Sequence, residues 1–237
     1  MDRPVEQVMG APSEAAGDPR AEIVKACKIL YAADQGDMVW GHVSVRAGDG
    51  RGVWLKGAGL GIEEVTVEDV ILLSWDGEIL EGSGRRHQEW PIHTQIMLRR
   101  PEVNAVVHTH PLYAVAFAAT GWELTQLSHE GQHFVPPDIP RFTRTSDIVE
   151  TVELGESLAD SIGSELAVLM PHHGITTAAA SLGDAVAAAV QLDRACQVAL
   201  LAGKDAIPAS HEDSLQKRKR SPDRLRNVWT YLSRKVA

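Results

Sequence analysis

Apolar and polar residues follow two periods along the chain, one typical of strands and one typical of amphipathic helices. A helix is predicted to begin at Asp18, because an aspartate cap followed by Pro19 is a favourable helix start, and to continue through AEIVKACKILYAAD. The segment VWGHVSVRAGDGRGVWLKG predicts two strands joined at GDGRG, and DVILLSWDGEIL predicts a second hairpin that turns at Asp76 and Gly77. The first third of the chain therefore favours one helix and two hairpins.

The middle of the chain predicts single strands separated by helices. EWPIHTQIMLRR has helical spacing, with Pro91 tolerable in its first turn, and the strand VNAVVHTH follows it. Pro111 opens the next helix, LYAVAFAAT, and ELAVLMPHHGITTAAA predicts two strands that bend at Gly174. Hairpins with helices between them indicate a mostly antiparallel sheet covered by helices.

Two more helices are predicted towards the C-terminus. Ser181 and Asp184 form a capping box before the alanine-rich segment LGDAVAAAVQLDRACQVALLAG. Ser221 and Pro222 start a last helix, in which four apolar residues recur at helical spacing: Leu225, Val228, Trp229 and Leu232. The sequence shows no internal repeat and no linker, so residues 18–237 are predicted to form one domain that ends in this helix.

Composition and charge argue against nucleic-acid-binding, membrane-spanning and secreted proteins. A net charge of -9 argues against a nucleic-acid partner, and no apolar run is long enough to cross a membrane. Residues 1–17 lack the apolar centre of a signal peptide and predict a flexible arm. Cys27 and Cys196 are isolated, without CxxC spacing, which indicates buried thiols in a reducing compartment and hence a cytoplasmic protein. The basic run at 216–220 is interpreted as solvated charge beside the last helix.

Histidines near a glutamate predict a metal site. On a strand, His108 and His110 point to the same face, where two imidazoles can share one ion. Glu89 and His93 are four residues apart on the preceding helix and share a face, although His93, one turn inside, is predicted to be a packing residue. A second pair of histidines stands at the PHHGI bend. Imidazoles with a carboxylate suit Zn, Mn, Fe or Co better than Ca or Mg.

These motifs resemble those of the class II aldolase and adducin family. The resemblance rests on EWPIH, VVHTHP and HHGI, which occur in the family's order, and it extends from about Ala21 to Gly203. It implies an α/β fold, a three-layer αβα sandwich around a mostly antiparallel sheet. It also implies one divalent transition metal per subunit, with Mn or Zn preferred and Fe or Co open, held by His108, His110 and His173. Glu89 then matches the family's acid/base and possible fourth ligand.

The resemblance also implies a homotetramer with active sites between subunits. In this family C-terminal segments can cover a neighbouring subunit's site, and the last helix, with Trp229 and Tyr231, is a candidate for that role.

Departures from the family's phosphate-binding residues bear on the substrate. His42 stands where the family has Asn in a Gly-Asn-x-Ser loop, with Ser44 retained, and Ala58 precedes Gly59 in the second phosphate-binding turn. His87 and Gln88 replace a Ser-Ser pair before Glu89. With hydroxyls lost and cations nearby, a non-phosphorylated carboxylate substrate is favoured. The predicted substrate-binding residues are His42, Ser44, Lys56, Gly59, Arg85, His87 and Gln88.

The segments GHVSVR and GSGRRH and the C-terminal aromatic pattern look like one branch of this superfamily. That branch decarboxylates hydroxylated aromatic dicarboxylates such as a hydroxymethylpyridine dicarboxylate or dihydroxyphthalates. The resemblance therefore implies a metal-dependent carbon–carbon lyase that decarboxylates a hydroxylated benzene or pyridine ortho-dicarboxylate.

Three other functions stay open at this point. An aldolase or dehydratase for a hydroxy acid or sugar acid would release an aldehyde or water, where a decarboxylase releases CO2. A non-haem iron oxygenase on the same scaffold would consume O2 with Fe(II). An adducin-like interaction module would not need Glu89 and the three histidines together, so metal analysis distinguishes it.

Overall fold

The computed structural model describes residues 17–219 and 222–236. The arm predicted over residues 1–17 lies outside the described residues except for Gly17, and so does Ser221 at the predicted start of the last helix.

One sheet forms the middle of the described structure. Its seven strands lie in the order β4-β3-β2-β1-β5-β7-β6, and every pair of neighbouring strands is antiparallel. The predicted hairpins and the bend at Gly174 are confirmed. The strands are β1 (His42–Arg46), β2 (Gly52–Lys56), β3 (Val70–Ser74), β4 (Ile79–Glu81), β5 (Ala105–Thr109), β6 (Ala167–Met170) and β7 (Gly174–Ala179).

Helices cover both faces of the sheet, which confirms the predicted three-layer αβα architecture. One apolar core joins α1, α3, α5 and α7 to one face, and a second core joins α2 and α4 to the other. The helices are α1 (Pro19–Ala32), α2 (Trp90–Arg99), α3 (Leu112–Thr120), α4 (Val152–Ile162), α5 (Leu182–Ala202), α6 (His211–Lys219) and α7 (Pro222–Ser233).

The predicted helix caps form as the sequence indicates. The Asp18 carboxylate accepts a hydrogen bond from the backbone N–H of Arg20 at 3.0 Å, and Pro19 occupies the first turn of α1. The Ser181 hydroxyl accepts the backbone N–H of Asp184 at 3.1 Å, which satisfies one free donor at the start of α5.

The long helix α5 is a core element. Its length and apolar composition would also suit a membrane span, but half of its most apolar window is buried inside the fold. Nine of its residues are buried, most of them alanines, which let the helix lie close to the sheet.

The basic run near the C-terminus differs from the expected solvated charge, and the two aromatic residues of α7 differ from each other in exposure. The basic run lies mostly within α6, where the Arg218 guanidinium donates to the Pro136 carbonyl at 2.8 Å and pairs with the Glu165 carboxylate. Trp229 on α7 packs within its own chain, because its ring fills the space that a side chain at Gly183 would need. Tyr231 is the aromatic residue of α7 that stays half-exposed.

Candidate active site

Glu89 lies at the start of α2, on the sheet face covered by α2 and α4. It is the N-cap residue of that helix and is almost fully buried. Its Oε1 accepts the backbone N–H of Val149 at 2.8 Å, which fixes the carboxylate from the side of the chain that leads into α4. The positive end of the α2 dipole favours a negative charge at this position.

The end of β5 brings two histidines to the same face of the sheet as Glu89. His108 is fully buried, and its Nε2 lies 3.5 Å from the Glu89 Oε2. The Nε2 atoms of His108 and His110 lie 3.0 Å apart. Thr109, between them, points to the opposite face and donates to Gln35 at 3.0 Å, as alternation along a strand requires.

Partners behind the two imidazoles set which ring nitrogen faces the centre. Thr176 on β7 lies 3.2 Å from Nδ1 of His108, and the Asp37 carboxylate lies 3.1 Å from Nδ1 of His110. A carboxylate only accepts, so Nδ1 of His110 carries the proton and its Nε2 presents a lone pair. When the Thr176 hydroxyl donates to the Met170 sulfur at 3.3 Å, the same holds for His108.

A tight bend between β6 and β7 supplies the third histidine. His173 places its Nε2 3.4 Å from the Glu89 Oε1, while His172 before it adopts a left-handed backbone with φ of 66°. Gly174 is required here, because a Cβ at this position would come within 2.5 Å of His110 and of the Thr109 carbonyl oxygen. The HHG motif thus reflects the close approach of the bend to the end of β5.

These residues fit a divalent transition metal. Glu89, His108, His110 and His173 each offer one ligand atom, and these atoms lie within 4.8 Å of one another. Ligand atoms around a tetrahedral ion at about 2.1 Å are about 3.4 Å apart, close to the separations of 3.0, 3.4 and 3.5 Å given above. Converging lone pairs at 3.0 Å repel each other unless a cation or a proton lies between them, so the set is chemically suited to hold an ion.

The charge states also suit a cation. Burial lowers the pKa of His108 and of His110, so both imidazoles are neutral at neutral pH and can donate a lone pair. Burial alone would raise the pKa of Glu89, but the polar groups around the carboxylate, among them His42, hold this pKa below its ordinary value. The cluster therefore presents one carboxylate together with neutral nitrogen ligands from His108 and His110.

Three of the residues assigned from sequence to substrate or to packing form one buried group behind Glu89. His42 pairs with His108 across β1 and β5, and its Nδ1 lies 2.6 Å from the Nε2 of His93. The Nδ1 of His93 in turn lies 2.6 Å from the Ser44 hydroxyl. Ser44 and His93 have no exposed surface, so neither can contact a substrate directly.

Lys56 lies away from this group, which corrects its expected contact with a substrate carboxylate. It follows Leu55, which packs on the α2 face, so alternation turns Lys56 towards α1. It is fully buried, and its ammonium group donates to the carbonyls of Leu60 at 2.8 Å and Gly57 at 3.3 Å.

The other four predicted substrate residues line one surface cleft beside the cluster. The cleft has a volume of about 300 Å³, and its lining includes Gly59, Arg85, His87 and Gln88. A Cβ at Gly59 would lie 2.7 Å from the Arg85 guanidinium, so glycine makes room for this group. The Arg85 guanidinium makes no ion pair or hydrogen bond with any residue between 17 and 219 or between 222 and 236.

The other basic side chains of the cleft are already engaged by neighbouring groups. Arg86 donates to the Gly77 carbonyl and stacks on Trp90. Burial and the nearby Lys56 lower the pKa of His87 to about 4, and the His87 Nε2 lies 3.2 Å from the Gly57 carbonyl, which it can only serve as a donor. Arg85 is therefore the cation that the cleft offers to an anionic ligand.

Sequence reasoning missed two residues of the site. Trp40 lines the cleft and is 49% exposed, and Asp37 orients His110. Trp40 lies before β1 and is separated from His42 by Gly41, whose φ of 79° breaks strand alternation, so the sequence pattern did not place it. Asp37 gave no signal, because its contact with His110 is long-range and depends on the path of the loop before β1.

Comparison with known proteins finds a family model that matches most of the chain. The model of the class II aldolase and adducin N-terminal domain matches residues 21–200. This range includes all four residues of the Glu and His cluster and the cleft beside it.

Proteins with different activities are similar to this chain in sequence or in fold. The 3,4-dihydroxyphthalate decarboxylase of Arthrobacter keyseri is 30% identical over 73% of this chain and 74% of its own. The 5-deoxy-D-ribulose 1-phosphate aldolase of Bacillus thuringiensis serovar kurstaki is 28% identical over 76% of this chain and 83% of its own. The solved L-fuculose 1-phosphate aldolase of Glaciozyma antarctica PI12 superposes with a TM-score of 0.83 at 23% identity, covering 96% of this chain and 93% of its own, which shows a common fold.

Proposed function

The chain belongs to the class II aldolase and adducin family, and on that premise we propose that it is a metal-dependent carboxy-lyase. Its proposed substrate is a hydroxylated benzene or pyridine ortho-dicarboxylate. The observation that carries the proposal is the cleft beside Glu89, where an unpaired guanidinium and a half-exposed indole lie together. The decarboxylase from Arthrobacter keyseri, which acts on 3,4-dihydroxyphthalate, supports the choice of substrate class.

Two residues in the cleft suit an aromatic acid. The Arg85 guanidinium can bind a carboxylate through two parallel hydrogen bonds. The Trp40 indole offers an aromatic face against which a flat ring can pack. Neutral His87 and polar Gln88 add no further charge, so one substrate carboxylate is retained by Arg85 while the other faces Glu89.

The clustered residues are proposed to bind the metal ion. His108, His110 and His173 would hold the ion, with Glu89 as a possible fourth ligand. A bound divalent ion supplies a Lewis acid for the negative charge that develops as the carbon–carbon bond breaks.

Glu89 is the proposed catalytic acid/base. As a carboxylate it takes the proton from the ring hydroxyl of the substrate. The electron pair of the breaking bond stays on the ring carbon, CO2 leaves, and Glu89 returns the proton to that carbon. The ring oxygen then regains a proton from solvent, and the product has hydrogen in place of one carboxyl group.

An aldolase acting on a non-phosphorylated hydroxy acid or sugar acid is the second candidate. It is favoured by the relative from Bacillus thuringiensis, which cleaves a sugar phosphate, and by a metal-ligand set that serves either bond cleavage. The cleft argues against a phosphorylated substrate. His87, Gln88 and Ala58 stand at positions where the phosphate-binding members of the family have hydroxyl side chains.

The substrate assignment is tested by removing the charge of Arg85. We expect Arg85→Gln to raise KM for 3,4-dihydroxyphthalate at least about tenfold, since a charge-assisted hydrogen bond contributes about 1.5–3 kcal/mol. Arg51→Gln is the matched control, because Arg51 is exposed and paired with Asp49 and Glu81. An unchanged KM in Arg85→Gln, or an equal rise in both variants, would remove Arg85 from the substrate site.

An oligomer with sites between subunits is also proposed, with a tetramer as the expected state. Three apolar side chains next to site residues are exposed in the single chain: Met38 beside Asp37, Val39 beside Trp40, and Leu112 near His110. Such exposed apolar groups favour burial against another copy. Light scattering of the purified protein should give the mass of a tetramer, and a monomer mass would contradict this proposal.

A further inference from the structure

Ser44, His93 and His42 form a continuous line of polar groups that ends at the Glu89 carboxylate. The Ser44 hydroxyl lies 2.6 Å from the Nδ1 of His93, and the Nε2 of His93 lies 2.6 Å from the Nδ1 of His42. The Nε2 of His42 then faces the Glu89 Oε2 at 3.6 Å, a close approach of an N–H to a carboxylate that is slightly longer than a hydrogen bond. Two elements contribute to the line: β1 carries Ser44 and His42, and α2 carries His93 and has Glu89 as its N-cap.

Hydrogen bonds of this kind need one proton between each pair of heavy atoms. The Nδ1 of His42 and the Nε2 of His93 lie 2.6 Å apart, so one of these nitrogens must accept, and because both rings are buried away from water, each is neutral and carries one N–H. A neutral imidazole donates from one nitrogen and accepts at the other. The line can therefore run in only two ways, towards Glu89 or away from it.

Both ends favour the direction towards Glu89. An ionised carboxylate only accepts, so the His42 nitrogen that faces it is favoured as the donor. At the other end the Ser44 hydroxyl has His93 as its hydrogen-bond partner among residues 17–219 and 222–236, and in the reverse direction its proton would have no acceptor there. A buried donor without a partner is costly, at about 1–3 kcal/mol.

We propose that Ser44, His93 and His42 are positioning residues that act as a one-way hydrogen-bond relay and present an N–H to the Oε2 of Glu89. Ser44 donates to His93, His93 donates from Nε2 to His42, and His42 donates from Nε2 towards the carboxylate. The relay holds Oε2 between His42 and His108 and leaves Oε1 to Val149 and His173. Each oxygen of Glu89 thereby has a fixed direction.

The relay assigns a role to His93 that differs from simple packing. A leucine at this position would fill the same space but would break both short contacts. A glutamine could place its amide N–H close to the position of the imidazole Nε2 and preserve the donation to His42. Comparing the two substitutions therefore separates volume from hydrogen bonding.

The direct test is the tautomeric state of the two imidazoles. Nitrogen NMR of metal-free protein labelled with ¹⁵N-histidine, assigned with His42→Asn and His93→Gln, distinguishes protonation at Nδ1 from protonation at Nε2. We expect both His42 and His93 to carry the proton on Nε2, and we expect Ser44→Ala to produce a mixture of tautomers in both rings. Protonation of His93 on Nδ1 in the unsubstituted protein would overturn the relay.

The kinetic consequence rests on the proposed function of Glu89, whereas the NMR test does not. In metal-loaded enzyme, Ser44→Ala should lower kcat about tenfold with little change in KM, as expected for the loss of one hydrogen bond that orients the base. His93→Gln should retain most of the turnover that His93→Leu loses.

Thr177→Val is the matched control for Ser44→Ala. It also removes a buried hydroxyl from the sheet, on β7, which is separated from β1 by β5, but Thr177 donates to the Ala185 carbonyl on the opposite face of the sheet. Equal effects of the two substitutions on kcat would reduce Ser44 to a structural role and contradict the relay. If no carboxylate substrate is turned over, the proposed function fails while the NMR result still decides the relay.

Discussion

Glu89 is the side chain in which the metal-ligand cluster, the relay and the cleft meet. Its two oxygens face different partners, with Val149 and His173 at Oε1 and His42 and His108 at Oε2. A substitution that keeps its shape but removes its charge therefore separates proton transfer from metal binding. The same cannot be done for His108, whose ring nitrogen is itself the proposed ligand.

Glu89→Gln should keep the bound metal and lose most turnover. The three histidine ligands remain, whereas an amide cannot accept and return a proton, so we expect a loss of about 10²–10⁴-fold in kcat. His108→Ala should lose both metal and activity. Elemental analysis of protein purified without chelator, set beside the turnover of each variant, checks both expectations. Normal turnover in Glu89→Gln would exclude its role as the acid/base.

At the scale of the element, α2 depends on α4 for its position. Gly155 of α4 lies against the first turn of α2, and a Cβ there would come within 2.8 Å of the Pro91 carbonyl oxygen. Since Pro91 follows Glu89 by two residues, the close approach of the two helices also fixes the carboxylate. Small residues permit this approach because they leave the backbones in contact.

Gly155→Ala should destabilise the protein although alanine is the better helix former. The gain in helix propensity is about 1 kcal/mol, but overpacking against backbone atoms that cannot rotate away costs about 1–3 kcal/mol. Urea denaturation should show a lower free energy of unfolding. Gly48→Ala is the control and should stay within about 0.5 kcal/mol, because nothing lies within 4 Å of a Cβ there. A stabilised Gly155→Ala variant would contradict the close packing of α2 and α4.

Local patterns identified most elements of the sheet but not all the helices. The hairpins, α1, α2, α3, α5 and α7 follow from periodicity and caps in the sequence. The segment from 121 to 164 gave no prediction, because much of it is irregular and α4 is defined chiefly by its packing on α2. Likewise, α6 has little apolar periodicity, so its helix could not be read from a hydrophobic face.

The sequence motifs predicted which residues form the candidate site, but they did not predict where each side chain points. It singled out Glu89 and the three histidines that the structure gathers together. The motifs did not predict that His93 covers Ser44 or that Lys56 turns towards α1, because both depend on how β1 and β2 pack. Contacts such as Asp37 with His110 span 73 residues and have no local signature.

At the scale of the whole molecule, buried imidazoles couple stability to pH. The pKa of His87 is lowered to about 4 and that of His93 to about 3, in both cases chiefly by burial. An unfolded chain would titrate these groups at about 6.5. The unfolded state therefore binds more protons below that pH, and the stability that is present above it is lost as the pH falls.

The metal-free protein should be less stable at pH 5.5 than at pH 7.5. Each of these two imidazoles contributes about 1.4 kcal/mol to the difference in unfolding free energy between the two conditions. Urea denaturation at one protein concentration measures it, and His93→Gln should show a smaller difference because one of the groups is gone. Equal stability at the two pH values would contradict the buried, neutral state of these rings.

The location of the protein in the cytoplasm remains a prediction. Both cysteines, Cys27 and Cys196, are free and buried, and burial raises their pKa values well above the range of a reactive thiol. Neither thiol therefore enters the proposed chemistry, which depends on the metal-ligand cluster and the cleft.

The central claim is that this site releases CO2 from a hydroxylated aromatic diacid. Its most direct test supplies the protein, first stripped with chelator and then reloaded with Mn or Zn, with 3,4-dihydroxyphthalate and separately with 5-deoxyribulose 1-phosphate. We expect metal-dependent CO2 release from the diacid and no aldehyde from the sugar phosphate. Aldehyde release from the sugar phosphate, with the diacid unchanged, would contradict the account.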